Sequence, residues 1–217
     1  MKPESHKSAK VQAPVAGYAC WRRPKTEPLW LQFGSAPTAV PTREAVAGLY
    51  SLMPHWATDL SISRHTYNAR SETASEKPSY RTAWRQRQFG LVLVDNFYEP
   101  SYESGKAARW KIELASGDPF GIACLWDRWK DPVSGKLVVS FSMLTVNADE
   151  HPVMSQFHKQ GDEKRTPVII APDLHDQWLS ADTDQATELM SLTHMPELRA
   201  ISSPLINQRS SRNDLIR

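Results

Sequence analysis

Cysteine is nearly absent from this 217-residue chain, which holds only Cys20 and Cys124. So low a count excludes a disulfide framework and a cysteine-rich zinc site as organising features, and it fits a reducing compartment. An excess of charge of one sign is also missing: 26 Lys and Arg face 24 Asp and Glu, a formal net charge of +2. No run approaches the roughly 20 consecutive apolar residues of a membrane span. The opening segment is polar and lacks the apolar stretch of a secretory signal, so a cytoplasmic protein is expected. Nucleophile elbows, phosphate-binding P-loops and dinucleotide fingerprints are missing as well, leaving hydrolase, nucleotide and hydride chemistry without a motif. What is present is core material, with 40% hydrophobic residues and 8 Trp, enough for a domain that needs no covalent staples.

Residues 1–25 carry six basic residues (Lys2, Lys7, Lys10, Arg22, Arg23, Lys25) against Glu4 and read as a basic, mobile arm. No Pro/Gly/Ser linker divides the chain after it, so residues 26–217 are expected to form a single domain. Residues 28–42, with Pro37 and Pro41, read as an extended packed segment. Pro78 opens an expected helix running to about Arg87, with Arg81 and Arg85 on one stripe and Tyr80 and Trp84 on another. Phe89 to Val94 is a continuous apolar run suited to a buried strand, and Trp110 to Leu114 alternates with period two. Phe120 to Trp126 and Leu137 to Val146 follow across turn signals, which together suggest an antiparallel meander. Thr166 to Ile170 adds a strand, and helices are expected from Pro172 to Leu179 and from Thr183 to Leu192. The fold class is therefore α+β: a curved antiparallel β-sheet or open barrel with a few flanking helices.

Positive charge concentrates between Arg64 and Arg87, where six Lys and Arg meet two acids. Interleaved with Trp56, Tyr67, Tyr80 and Trp84, these cations suit a surface that tracks phosphates and stacks bases; a solvated basic helix with its aromatics in the core would look the same. Glu99 follows aromatic residues at the end of an apolar strand. Partial burial would raise its pKa toward proton-transfer chemistry, whereas a strand-end carboxylate pointing to water would do nothing. His151 and His158 would share a face if the stretch between them were helical, but with Glu150 they make no zinc spacing, and no metal or other cofactor is expected. His158 reads as a single acid/base candidate or a loop histidine, and His175 and His194 as surface residues. Asn68, between packed segments, could orient a substrate or a loop.

In order and wording, these segments resemble the SOS-response-associated peptidase (SRAP) family of abasic-site processing proteins. The resemblance rests on Leu52-Met53-Pro54-His55-Trp56-Ala57, Asn68-Ala69-Arg70-Ser71-Glu72-Thr73, Lys77 to Arg81, Phe97-Tyr98-Glu99, Gly121 to Trp126, Phe141 to Thr145, and His158 with Arg165 to Ile169. It spans about residues 43 to 210. It implies a sensor of abasic sites in single-stranded DNA that cross-links to the open-chain sugar aldehyde through an N-terminal cysteine. Carried over by motif, Asn68, Glu99 and His158 would be the catalytic set. Arg70 would hold phosphate, and Pro54, Trp56, Lys77, Arg81 and Arg85 would line the strand path. The expected partner is single-stranded DNA containing abasic sites, bound by a monomer that is nucleoid-associated when on DNA, with no membrane and no metal.

Position 2 is Lys2 rather than Cys. Cys20 cannot replace a terminal cysteine, because a thiazolidine needs an amine and a thiol on one residue and an internal nitrogen is tied up in its peptide bond. Cys124 reads as a small hydrophobe in a buried strand. The favoured expectation is a native start that carries Met-Cys. The alternatives are a DNA-binding module without chemistry and a Schiff-base lyase acting through the terminal amine.

Overall fold

The structure is a computed structural model that describes residues 29–34 and 43–204. The expected basic arm and Cys20 lie outside the described residues. In chain order the elements are β1 (Leu29–Gly34), β2 (Arg43–Tyr50), β3 (Asn68–Arg70), α1 (Ser71–Ala74), α2 (Arg81–Arg85), β4 (Phe89–Val94), β5 (Phe97–Ser101), β6 (Ala108–Leu114), β7 (Phe120–Lys130), β8 (Leu137–Asn147), β9 (Arg165–Pro167), β10 (Ile169–Ile170), α3 (His175–Ser180), α4 (Thr183–Leu189) and β11 (Leu198–Ser202). Short 3₁₀ turns precede β3, β9, α3 and β11.

Eight strands form one curved sheet in the order β10-β7-β4-β1-β2-β8-β3, with β9 added on β8. The sheet curls because β7, which also carries β10, serves both β4 and β8. Its first half pairs antiparallel with β4, and from Cys124 to Lys130 it pairs antiparallel with β8. Most pairings are antiparallel, as expected, but β8 runs parallel to both β2 and β3. Because β4 lies inside this sheet, it is buried from both sides. Phe89 and Leu91 join one core, and Val92 and Val94 join the other. A strand covered on both sides over most of its length needs no polar alternation, which explains its continuous apolar run; only Leu93, near its end, reaches solvent.

The expected meander fails at its first turn. β6 leaves the main sheet and lies between β5 and β11 in a separate three-stranded sheet, with Phe97 opposite Ile112 and Leu198 opposite Leu114. Two local features divert the chain. Gly117 adopts φ +82, its N–H closing on the Leu114 carbonyl, and Pro119 has no N–H to continue a ladder. The small sheet then packs its apolar face on the large one, sharing a core of Phe97, Ile112, Phe120, Phe141, Phe157 and Leu198.

The helices cover the other face. Trp178 of α3 is fully buried, its ring centroid 5.0 Å from that of Phe89 and its Nε1 donating to the Gly90 carbonyl at 2.9 Å. Gly121 makes this docking possible: a Cβ there would stand 2.9 Å from Leu91 Cδ2 and 3.0 Å from His175 Nε2. His175 is thus half-buried against β7 and bonded to the Ile170 carbonyl, not a surface residue, and His194 is half-buried too. The helix opened by Pro78 is shorter than its pattern suggests. It keeps helical hydrogen bonding only over Arg81–Arg85, and Arg87 at φ 54 ends it. The stripes survive this shortening, with Tyr80 and Trp84 buried and Arg81 and Arg85 exposed.

Candidate functional site

Asn68 opens β3, and its position is set from two sides. Parallel pairing places it opposite Met143 of β8, and the Tyr80 hydroxyl donates to its carbonyl at 3.0 Å. Burial pushes the Tyr80 hydroxyl up to about 12, so it remains a donor at any physiological pH. The side chain of Asn68 is exposed, and its Oδ1 accepts from the Tyr50 hydroxyl at 3.0 Å. Tyr50 is itself stacked on Phe141 with centroids 5.5 Å apart. With its oxygen taken, the amide of Asn68 presents N–H donors outward, suited to a sugar or phosphate oxygen.

Glu99 sits in the middle of β5 and is only 5% exposed, so it is not a strand-end carboxylate in water. Its register partner is Trp110, whose ring meets Phe157 edge-on at 6.2 Å. Phe157 immediately precedes His158. Trp110 and Tyr50, the neighbours of Glu99 and Asn68, pack against the same apolar cluster, which also contains Phe157.

His158 does not lie on a helix with His151; only Met154–Gln156 between them is helical, as one 3₁₀ turn. The backbone at His158 is left-handed, φ 73, a conformation costing a non-glycine residue about 1–2 kcal/mol. Burial holds its imidazole below the ordinary histidine range. The Phe157 carbonyl and Asp162 oppose that shift, and the Lys164 cation reinforces it. The ring is therefore neutral at neutral pH, and its Nδ1 is buried without a hydrogen-bond partner among the described residues. A neutral imidazole on a strained backbone, with one ring nitrogen unpartnered among the described residues, is equipped to take or give a proton.

A chain of ions joins the loop after His158 to the segment after Asn68. Arg165 clamps Glu72 with two bonds of 2.8 and 2.9 Å and reaches Glu163 at 2.9 Å. Glu163 also holds Arg70 at 2.7 Å. Although burial opposes it, the Arg165 bond and charge keep the Glu72 carboxyl below its usual range. Sequence reasoning missed Glu163 and Tyr50. The pairing of Glu72 with Arg165 was available only as two separate motifs. Arg70, read as a phosphate ligand, is occupied by a carboxylate, and its side chain remains 60% exposed.

Trp56 stands 48% exposed on the loop after β2. That loop is fastened to the β7–β8 ribbon: Met53 N–H donates to Ser140 Oγ at 2.8 Å, and Trp129 Nε1 donates to the Ala57 carbonyl at 2.7 Å. Pro54 is buried and shapes the loop without presenting a face. The Trp56 indole leans on the Pro78 carbonyl at 3.4 Å, which sets an exposed aromatic ring beside the turn bearing exposed Lys77 and leading into Arg81 and Arg85. Tyr80 and Trp84 face the core, so the base-stacking surface reduces to Trp56 with half-buried Tyr67. Cys124 is fully buried and burial pushes its thiol well up, which makes it inert. Among the described residues no group of three His, Cys, Asp or Glu converges as a metal site, and no helix is long and apolar enough to cross a membrane.

Comparison with known proteins adds three findings. The family model described as SOS response associated peptidase (SRAP) matches residues 11–208. The abasic site processing protein YoqW of Bacillus subtilis (strain 168) is 31% identical over 144 residues, covering 66% of this chain and 60% of that protein; the abasic site processing protein HMCES of Xenopus tropicalis is 25% identical over 193 residues, covering 78% and 56%. This chain thus spans about 60% of the length of such curated relatives. A crystal structure of a protein from Bordetella bronchiseptica superposes with a TM-score of 0.71 at 32% identity, covering 82% of this chain and 84% of that one.

Proposed function

The chain belongs to the SOS response associated peptidase (SRAP) family, and on that premise we propose that it recognises and processes abasic sites in single-stranded DNA. What supports this reading is the burial of the carboxylate Glu99, together with the desolvated neutral imidazole of His158 and the exposed amide of Asn68, on the three family motifs. An abasic deoxyribose rests mainly as a closed hemiacetal. Opening it to the reactive aldehyde requires one proton to leave the anomeric hydroxyl and one to reach the ring oxygen, a task for an acid and a base held together. Asn68 would hold the sugar or the attacking group. The names of the curated relatives, abasic site processing proteins, support the substrate class.

The strand itself would pass Trp56, which offers an apolar face to any base, and Lys77, Arg81 and Arg85, which offer charge to phosphates. Arg70 joins this set when phosphate displaces Glu163. The finer reading is covalent. A terminal amine condenses with the aldehyde, releasing water to give an imine, and a thiol on the same residue adds its sulfur to the imine carbon and its proton to the nitrogen, closing a thiazolidine. Neither Cys124, buried and protonated, nor the internal Cys20 has both groups free, so this step calls for a cysteine at a mature N-terminus.

The test uses single-stranded oligonucleotides with and without one abasic site, incubated with this chain and with a version that begins Met-Cys. The proposal expects preferential binding to the abasic strand by both proteins and a denaturant-resistant adduct with the second. Borohydride trapping with the first would reveal an imine formed by the terminal amine. Equal binding to both strands with no adduct from either protein would reduce the molecule to a DNA-binding module without chemistry.

A further inference from the structure

The loop carrying His158 has a feature that neither the motifs nor the proposed proton transfer uses. Lys164 is half-buried, and its ammonium is turned back across the loop instead of outward: Nζ donates to the carbonyl of Phe157 at 2.7 Å and to the carbonyl of His158 at 3.3 Å. These carbonyls belong to the two peptide units on either side of the His158 Cα, whose relative orientation defines its left-handed backbone. The loop reverses at Gly161, φ +87, and so returns Lys164 to this position. Its neighbours on either side are themselves anchored, Glu163 to Arg70 and Arg165, and Arg165 to Glu72. The lysine therefore reaches the loop from a fixed base. A left-handed backbone at a residue other than glycine persists only when its surroundings impose it, and a half-buried cation bonded to both adjacent carbonyls is the group here that does so.

We propose that Lys164 is the positioning residue for His158, clamping the carbonyls on both sides of its Cα and so fixing the left-handed backbone from which the imidazole projects. The inference rests on the reading of His158 as the proton-handling group. A lysine at this point does two things that an uncharged bridge could not do together. It supplies several donors to a strained turn, and its charge opposes protonation of the adjacent ring. Asp162 on the same loop opposes that electrostatic effect, and Lys159 points elsewhere, its ammonium 5.6 Å from the Tyr102 ring centroid.

The experiment follows the His158 imidazole by NMR titration in the full chain, without DNA, in the wild type and in Lys164→Met, Lys164→Arg and Lys159→Met, alongside the rate at which the Met-Cys version of each reacts with abasic single-stranded oligonucleotide. Lys164→Met is expected to raise the His158 titration midpoint and to slow processing at saturating DNA by about tenfold to a hundredfold, with half-saturation unchanged, as for a displaced catalytic group. Lys164→Arg should restore the midpoint and most of the rate, and Lys159→Met should match the wild type. A wild-type midpoint and rate in Lys164→Met would overturn the proposal, as would an equal shift in Lys159→Met. If Lys164→Met does not fold, Lys164→Gln, which keeps a donor and drops the charge, is held to the same two outcomes. Should the Met-Cys version with wild-type Lys164 leave abasic DNA unreacted, the functional reading fails, while the titration still decides the role of Lys164.

Discussion

His158, Glu99 and Arg70 owe their chemistry to neighbours far away in the sequence. Glu99 is buried because it shares the inward face of β5 with Phe97 and Ser101, and His158 is neutral because burial removes water from its ring. If the two share the proton traffic of ring opening, Glu99→Gln and His158→Gln should each slow abasic-site processing by roughly a hundredfold or more. Both should leave binding of intact single strands unchanged, as read by fluorescence anisotropy beside a single-turnover assay. Rates within twofold of wild type would remove them from the mechanism. Arg70 gives the opposite expectation. Its bond to Glu163 is an exposed ion pair, which stabilises a fold by well under about 1 kcal/mol. Glu163→Gln should therefore leave the urea midpoint nearly unmoved while tightening single-stranded DNA binding by roughly twofold, the reward of freeing a guanidinium for phosphate. Weaker binding in that variant would show that Arg70 serves the loop and not the DNA.

Among the elements, α3 does most to hold the large sheet's helical side. Trp178 fills the space over Phe89 and caps the Gly90 carbonyl, so Trp178→Ala should cost about 3–5 kcal/mol in urea unfolding, whereas Trp178→Phe should lose mainly the hydrogen bond. The segment between His151 and His158 adds a pH dependence. His151 is buried, and its Nδ1 accepts the N–H groups of Val153 at 3.1 Å and Met154 at 3.2 Å, which requires an unprotonated nitrogen. Burial holds its pKa below the ordinary value, as it does for His158 and His175. The unfolded chain takes up these protons near pH 6.5 and the folded chain only below that. The stability tied to the neutral rings is thus complete above about pH 6.5 and is lost as pH falls through that value toward the folded pKa. A urea midpoint lower at pH 5.5 than at pH 7.5, with a smaller difference in His151→Gln, is the expected result; equal midpoints in the wild type would refute it.

At the scale of the whole molecule, the near balance of charge hides a polarised surface. Exposed Lys77, Arg81 and Arg85 lie on the turn and helix beside Trp56, so binding to single strands should weaken steeply with salt in a chain whose formal charge is only +2. Each of Arg81→Ala and Arg85→Ala should lower the slope of log K against log salt by about 0.7 if the arginine meets a phosphate. An unchanged slope would place the strand elsewhere. Much of this organisation was legible beforehand. The run at Phe89–Val94 marked a buried strand, and the four-residue spacings of Arg81 with Arg85 and of Tyr80 with Trp84 separated a basic stripe from an aromatic one. These patterns are local, and periodicity reports which side of an element meets the core.

What the sequence by itself determined, then, is several of the main strands and the core-facing side of the short helix after Pro78, the motifs that tie the chain to its family, and the lack of a cysteine framework or a long apolar helix among the described residues. The tertiary structure alone decided which strands share a sheet, and so sent β6 away from β7 to cover Glu99. It also decided that Glu163 meets Arg70, that Glu72 meets Arg165, and that Lys164 turns back on His158. Such contacts join residues by packing and by electrostatics in a desolvated setting, and neither depends on distance along the chain; a carboxylate or an imidazole acquires its proton affinity only when distant segments remove the water around it.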